Sequence, residues 1–310
     1  MIDDSLLNRL PETAVVQRDA ELSDFTTFRL GGSCPALIEC PNASVLCETA
    51  KLLAEQGIDF IVIGQGSNLL VSDTGIGIVV LRYCTEKHDI EVDGCRVRVS
   101  GDTILDDLPR FAIECGIGDV SFLSGIPGTV GGAIAGNAGA FGQQIGDVIE
   151  SVRLMDRKGT VECVSADELA FEYRSSMLKK TGAVVLDTVL KLKPCDRETM
   201  QQERERILEL RRMKHPDWTT TPCAGSVFRN VEPTSAAERR QAAGWFLEQA
   251  GAKDMRVGGA RLYEKHANII VAEPTATASD VYRLSEQMAA AVRDRFGFEL
   301  VREIKLLGEF

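Results

Sequence analysis

Two glycine-rich stretches carry the first chemical signal in this chain. Ile63-Gly64-Gln65-Gly66-Ser67-Asn68-Leu69-Leu70 closes an apolar run. Its glycines let a ligand approach the main chain, and successive turn amides form a concavity suited to a pyrophosphate, with Ser67 and Asn68 adding side-chain donors. A bare tight turn is the structural alternative. A Rossmann fingerprint would need a third glycine where Leu69 stands, and Leu70-Val71-Ser72-Asp73-Thr74-Gly75-Ile76-Gly77 reads as extended, not as a crossover helix. The second stretch is Ser124-Gly125-Ile126-Pro127-Gly128-Thr129-Val130-Gly131-Gly132-Ala133, followed by Asn137-Ala138-Gly139-Ala140-Phe141-Gly142. Glycine and alanine at this density are not expected to pack as an ordinary strand or helix. They suit a flat, extended cofactor lying on bare backbone, or a loop at a sheet corner.

The elements that must position these stretches fall into three regions: 1–85, 86–196 and 197–310. In the first, Ser44 to Gln56 reads as a helix striped by Val45, Leu46, Leu52 and Leu53 and stopped by Gly57. The β-branched run Phe60 to Ile63 reads as a buried strand feeding the glycine turn. In the second, Asp102 to Cys115 has a helical stripe, while Ile90–Val92 with Val97–Val99, and Val152–Met155 with Val161–Val164, read as hairpins around Asp93-Gly94 and Lys158-Gly159. In the third, helices are predicted over Glu198–Met213, Ala242–Ala250 and, from an N-cap at Ser279, to Phe296. A Pro- and Thr-rich loop spans Pro216 to Pro222, and a strand closes the chain over Leu300–Leu306. Helices and strands mix without a βαβ rhythm, so the expected class is α+β.

Composition narrows the partners. With 46 acidic and 35 basic residues the net charge is −11, which argues against a nucleic-acid or anionic-membrane binder. No apolar run reaches bilayer length and the first residues are acidic, so a cytosolic protein that does not engage membranes is expected. Nine cysteines form no C-x-x-C pair, and His88, His215 and His266 show no ligand spacing. Reduced thiols and no metal centre are expected.

Gly64-Gln65-Gly66-Ser67-Asn68 followed by Gly125-Ile126-Pro127-Gly128-Thr129-Val130-Gly131-Gly132-Ala133 resembles the FAD-binding domain of the vanillyl-alcohol-oxidase type. Three later motifs add to this: Phe171-Glu172-Tyr173-Arg174-Ser175-Ser176, Ala224-Gly225-Ser226-Val227-Phe228-Arg229-Asn230 and Lys265-His266-Ala267-Asn268. In this order, and running from Thr26-Thr27-Phe28-Arg29-Leu30-Gly31-Gly32 to Glu303, they resemble the UDP-N-acetylenolpyruvoylglucosamine reductase family. The short segment between Arg174 and Lys191 is similar to the second type of that family, which lacks a tyrosine-bearing insertion. Thr234 to Arg240 reads as extra loop.

The resemblance implies a two-part FAD-binding module, 1–85 and 86–196, and a smaller C-terminal α+β substrate domain, 197–310. It also implies noncovalent FAD, NADPH as hydride donor, and a UDP-amino sugar enolpyruvyl ether as substrate, handled by a cytoplasmic monomer. Cofactor contacts are then expected at Ile63, Gly64, Gln65, Gly66, Ser67, Asn68, Leu69, Gly125, Pro127, Gly128, Thr129, Gly131, Gly132, Ala133, Asn137 and Gly139. Substrate contacts are expected at Tyr173, Arg211, Arg229, Asn230 and His266.

Saturating an enol ether conjugated to a carboxylate needs a hydride at one carbon, stabilisation of charge moving toward the carboxylate, and a proton at the other carbon. Arg174 offers a permanently charged planar fork, and read alone also suits a salt bridge. Ser226, beside Gly225, can present a hydroxyl as proton donor or simply form a turn. Glu303 can orient a donor near the developing charge or be an exposed strand residue. The family motifs assign all three to catalysis.

Overall fold

A computed structural model of the chain describes residues 4–85, 89–118, 120–233 and 239–310; His88 and most of the extra loop, 234–238, lie outside the described residues. The chain forms two compact units from interleaved segments. The first comprises Met1–Ala20, Pro35–Gln65 and Ile78–Leu210; the second comprises Glu21–Cys34, Gly66–Gly77 and Arg211–Phe310.

Two sheets organise the first unit. One has strand order Val15–Glu21, Ser33–Cys40, Val79–Tyr83, Phe60–Ile63, with the last three parallel. Helix Ala43–Glu55 covers it, because Val45, Leu46, Ala50, Leu52 and Leu53 fall on one buried face against Ile38, Phe60 and Leu81. Asn42 starts the helix by accepting the Val45 amide at 2.9 Å, and Gly57, at φ 65°, follows its end. The other sheet is antiparallel, in the order Val161–Ser165, Ile149–Met155, Val184–Lys191, Arg96–Ser100, Ile90–Asp93. Its inner face packs Val97, Val152 and Leu190 against Leu108, Leu123 and Val130.

Three expectations for local structure in these segments, and one for an N-cap described below, are corrected. Helix Asp107–Cys115 starts five residues later than its apolar stripe suggested. Asp102 is buried and its carboxylate accepts from Thr85 N, Thr85 Oγ1 and Ser100 Oγ at 2.6, 2.6 and 2.7 Å, which holds the preceding residues in a turn. Second, the glycine-rich run does contain a helix, Val130–Ala135, capped by Thr129. Gly131 makes this possible, since a Cβ there would lie 2.9 Å from the Gly101 carbonyl; only a bare Cα fits so close. Third, the closing strand shrinks to Lys305–Leu307, paired in parallel with Leu69–Val71.

The second unit carries a three-stranded antiparallel sheet, Arg256–Val257, Ala260–Tyr263 and His266–Ala272, with helices Ala243–Gln249 and Ala278–Phe296. Ile270, Val227, Phe28 and Leu70 share its core with Val281, Leu284 and Met288 of the longer helix. That helix is capped by Thr277 with Asp280 in a capping box, two residues before the expected Ser279. Ser279 instead binds the Asp73 carboxylate through its amide (2.8 Å) and hydroxyl (2.6 Å). Helices and sheets are thus mixed in both units, as the α+β expectation required.

Candidate active site

In the first unit the nominated residues present mainly backbone. Strand Phe60–Ile63 ends in Gly64 and Gln65, whose amides donate to no protein acceptor among the described residues. The amide of Thr129 is equally unengaged among those residues, although Thr129 is buried. Main-chain donors need an acceptor, and amides without one in the protein are open to water or to a ligand. The two loops are locked together: Gln65 Oε1 accepts the Gly128 amide at 2.8 Å, and a Cβ on Gly64 would sit 2.7 Å from Thr129 Oγ1. Gly132 is different. It is exposed, and a Cβ there meets nothing nearer than Thr129 Oγ1 at 3.5 Å.

Sequence reasoning missed the groups that hold this bed in place. Asp106 accepts the Gly125 amide at 2.7 Å and pairs in bidentate fashion with Arg204, both contacts 2.7 Å. Arg204, on helix Arg197–Lys214, is buried to 6% exposure, so the pair is well shielded from water. Burial alone would push the Asp106 carboxyl upward; hydrogen bonds from Arg204 and Gly125 outweigh it and leave the group below its ordinary value. No local signal joins positions 106, 125 and 204.

Asn137 and Gly139 lie just past helix Val130–Ala135. The Asn137 side chain is committed to protein partners, donating to Gln144 Oε1 and the Glu172 carbonyl and accepting from Gly146 N. Arg174 sits at φ 55°, an unusual angle for a side-chain-bearing residue, forced by paired bonds between Glu172 and Ser175 of 3.0 and 3.1 Å. Such backbone costs about 1–3 kcal/mol and persists where surrounding structure imposes it. The guanidinium donates to the Gly139 carbonyl at 2.6 Å and stands 5.2 Å over the Tyr173 ring. It is a fixed, half-buried cation.

In the second unit the nominated residues present side chains from three adjoining backbone segments. Asn68 Nδ2 donates to the Glu303 carbonyl at 3.1 Å and the Lys305 amide to the Asn68 carbonyl at 2.9 Å. The Glu303 amide donates in turn to the Val227 carbonyl at 2.7 Å, and the Arg229 amide to that of Val301 at 2.8 Å. Segment 301–305 therefore links the turn at Gly66–Leu69 with Ser226–Arg229. Ser226 follows Gly225, whose φ is 69° and whose Cβ position is open space. Its hydroxyl has no hydrogen-bond partner among the described residues. Arg229 forms no ion pair among those residues, and its Nε is buried without an acceptor. Asn230 Oδ1 accepts the Ala243 amide at 3.2 Å.

His266 packs edge-on against His215 with ring centroids 5.4 Å apart. Burial, then the charge of Arg211, pushes His215 down to about 4; burial also lowers His266. Both rings are neutral at pH 7. His266 Nδ1 accepts the Asn268 amide at 3.2 Å, which leaves Nε2 to carry the proton. Arg211 lies in the last turn of helix Arg197–Lys214. Among the described residues no group of three or more His, Cys, Asp or Glu could hold a metal ion, and no helix is long and apolar enough to cross a membrane.

Comparison with known proteins gives consistent findings. The FAD binding domain family matches residues 35–165, and the UDP-N-acetylenolpyruvoylglucosamine reductase C-terminal domain matches residues 216–307. The chain is 38% identical over 293 residues to UDP-N-acetylenolpyruvoylglucosamine reductase 2 of Symbiobacterium thermophilum, covering 94% of this chain and 92% of the relative. It is 33% identical over 309 residues to UDP-N-acetylenolpyruvoylglucosamine reductase of Bacillus licheniformis, covering 99% of both. The crystal structure of UDP-N-acetylenolpyruvylglucosamine reductase from Thermus caldophilus superposes with a TM-score of 0.79 at 29% identity, over 95% of this chain and all of that one.

Proposed function

The chain belongs to the UDP-N-acetylenolpyruvoylglucosamine reductase family, and from this we propose that it reduces UDP-N-acetylglucosamine enolpyruvate to UDP-N-acetylmuramate with FAD and NADPH, a step in peptidoglycan precursor synthesis. The observation that carries the reading is the run 301–305, which ties Asn68 of the glycine turn to the segment bearing Ser226 and Arg229.

The residues present fit a flavin dinucleotide. The unspent amides of Gly64, Gln65 and Thr129 suit phosphate oxygens, and the open position before Gly132 leaves room for a flat group. When bound, the flavin supplies the hydride. In the balance of the reaction NADPH is oxidised, the enolpyruvyl double bond gains a hydride at one carbon, and the other carbon gains a proton. Arg174, held by its carbonyl partners and Tyr173, meets the substrate carboxylate as negative charge moves onto it. Ser226 gives its proton to carbon, and Glu303 lies on the neighbouring segment to orient and reprotonate the site. Arg229, with its buried unpaired Nε, takes a phosphate of the UDP moiety, joined by Arg211 and Asn230, while His266 offers Nε2–H to the sugar.

In this reading 1–85 and 86–196 act as the two FAD-binding parts and 197–310 as the substrate part, and the enzyme works as a cytosolic monomer. Three separate cores form, around Leu46 and Leu81, around Val152 and Leu190, and around Ile270 and Leu284, the first also taking in Met155 and Leu186 and the last Phe28 and Leu70. The test is the visible spectrum of purified protein. The expected result is a noncovalent flavin band, bleached by NADPH and restored anaerobically by UDP-N-acetylglucosamine enolpyruvate. A protein that cannot be loaded with FAD, or that is reoxidised by oxygen with an alcohol donor but never by this substrate, would contradict the reading.

A further inference from the structure

We infer that Asn268 is a positioning residue for Ser226: its side-chain carboxamide clamps the main chain of Phe228 and so fixes the hydroxyl two residues upstream. The inference rests on the proton-donor role proposed for Ser226. Asn268 is buried to 2% exposure. Its Oδ1 accepts the Phe228 amide at 3.0 Å, and its Nδ2 donates to the Phe228 carbonyl at 2.8 Å. One side chain thus satisfies both polar main-chain groups of one residue, as a neighbouring strand would. Its own carbonyl accepts the Val227 amide at 2.9 Å.

Ser226 needs such a clamp because regular structure does not hold it. Strand His266–Ala272 pairs along one edge with Ala260–Tyr263, whereas the segment at Ser226 forms no continuous ladder with it: an isolated bridge joins Ser226 to Ile269, beside the Val227 bond to Asn268. Upstream is Gly225, at φ 69° with open space at its Cβ position, so no side chain packed at that residue sets the angle at which Ser226 leaves the chain. Placement comes from downstream, where Asn268 holds Phe228 and the Glu303 amide holds the Val227 carbonyl. His266 continues the support, since its Nδ1 accepts the Asn268 amide.

A carboxamide is the group that offers one donor and one acceptor in this fork. A carboxylate of the same shape would face the Phe228 carbonyl with a second acceptor; a protonated carboxyl would restore both bonds. Burial raises the pKa of such a group, which makes the repair accessible in mildly acidic buffer. Asn268→Asp therefore turns geometry into a pH signature that loss of packing would not produce.

The experiment is stopped-flow absorbance of FAD-loaded full-length protein, following flavin reduction by NADPH and reoxidation by UDP-N-acetylglucosamine enolpyruvate from pH 5.5 to 8.5, with amide hydrogen exchange of Phe228 measured on the cofactor-free chain. Asn268→Asp should leave reduction within about threefold of wild type and slow reoxidation on the order of 10²-fold at pH 8.5, the loss typical of about 1 Å of misplacement. That deficit should shrink at least about tenfold by pH 5.5, and Phe228 exchange relative to wild type should slow over the same range. Asn268→Ala should show a deficit in reoxidation whose ratio to wild type does not change with pH.

A pH-independent deficit in Asn268→Asp, or equal slowing of both half-reactions, overturns the inference. If Asn268→Asp does not hold the fold, Asn268→Ser supplies the test: selective loss of reoxidation supports the clamp, and wild-type reoxidation refutes it. Ser226→Ala separates the two levels. A wild-type reoxidation rate in Ser226→Ala removes the proton-donor reading itself, whereas a slow Ser226→Ala beside a normal Asn268→Asp removes only the clamp.

Discussion

In the first unit the cofactor candidates are mostly main chain: amides at Gly64, Gln65 and Thr129, and a bare helix face at Gly132. In the second the catalytic and substrate candidates are side chains, Ser226, Arg229 and Glu303, set on short segments joined by main-chain bonds. The two are stabilised differently. A buried ion pair, Arg204 with Asp106, pins the glycine bed, whereas hydrogen bonds from neighbouring segments and a carboxamide pin the side-chain set. A bed of backbone tolerates no neighbour that moves; a set of side chains needs only its attachment points held.

The largest expected effect lies in the first unit. Asp106→Ala leaves Arg204 buried and unpaired and frees the Gly125 amide, at a cost of about 3–5 kcal/mol, read as a lower denaturant midpoint. Flavin affinity should fall in the same variant. If midpoint and affinity are both unchanged, the pair does not hold the bed.

The units should also part company in acid. His215 has an unfolded value near 6.5 and a folded value of about 4, and His266 is lowered too. Between those values the unfolded chain binds protons that the folded chain does not, so stability is present above pH 6.5 and lost as pH falls toward 4. The His215 contribution is at most about 3 kcal/mol. Asp106 is also depressed below its ordinary 3.8, so its contribution is kept above that value and lost only as pH falls through the lower folded one. Amide exchange should therefore rise around His266–Ala272 near pH 5 before it rises around Gly125. His215→Gln should flatten the first change; the same pH profile in that variant would assign it to other groups.

A sharper contrast separates two of the nominated glycines, Gly66 of the second unit and Gly132 of the first. At Gly66 a Cβ would lie within 2.1 Å of the Phe25 carbonyl oxygen, at φ 62°, so Gly66→Val should strain the fold as well as weaken flavin binding. At Gly132 the space is open, so Gly132→Val should keep the unfolding midpoint within about 1 kcal/mol, the helix-propensity scale, and still lower FAD affinity tenfold or more. Full flavin affinity in Gly132→Val would remove that face from the cofactor site.

These contrasts show which parts could be read from residue types alone. Strand Phe60–Ile63 and helix Ala43–Glu55 were legible because apolar periodicity and a stopping glycine agree over a short span. The glycine loops and Arg174, Ser226 and Glu303 were legible as motifs. Helix Val130–Ala135 was not, because its stability comes from fitting against Gly101 and not from propensity. Thr277 outcompeted Ser279 as N-cap because Asp73, some two hundred residues earlier in the chain, engages Ser279. The pairing of Asp106 with Arg204 and the fork of Asn268 on Phe228 are long-range contacts that no window of sequence contains.

The smallest predicted effect belongs to that Asp73 contact. Burial raises its carboxyl, but hydrogen bonds from Ser279 and Ala278 prevail and hold it below its usual range. Asp73→Ala should cost about 1 kcal/mol, as loss of a helix cap does, with little change in turnover. A loss of activity larger than the loss of stability would place Asp73 closer to the chemistry than its contacts suggest.

The division between a bed that holds the cofactor and side chains that complete the reaction is tested most directly by stopped-flow absorbance of Ser226→Ala. The account predicts normal FAD content, bleaching by NADPH at close to the wild-type rate, and reoxidation by UDP-N-acetylglucosamine enolpyruvate slowed by about 10²–10⁴-fold, the range for a lost general acid. Ser226→Cys should recover part of that loss, since a thiol also carries a proton. Reoxidation of Ser226→Ala at the wild-type rate would contradict the account and move the proton source to another group, with Glu303 next in line.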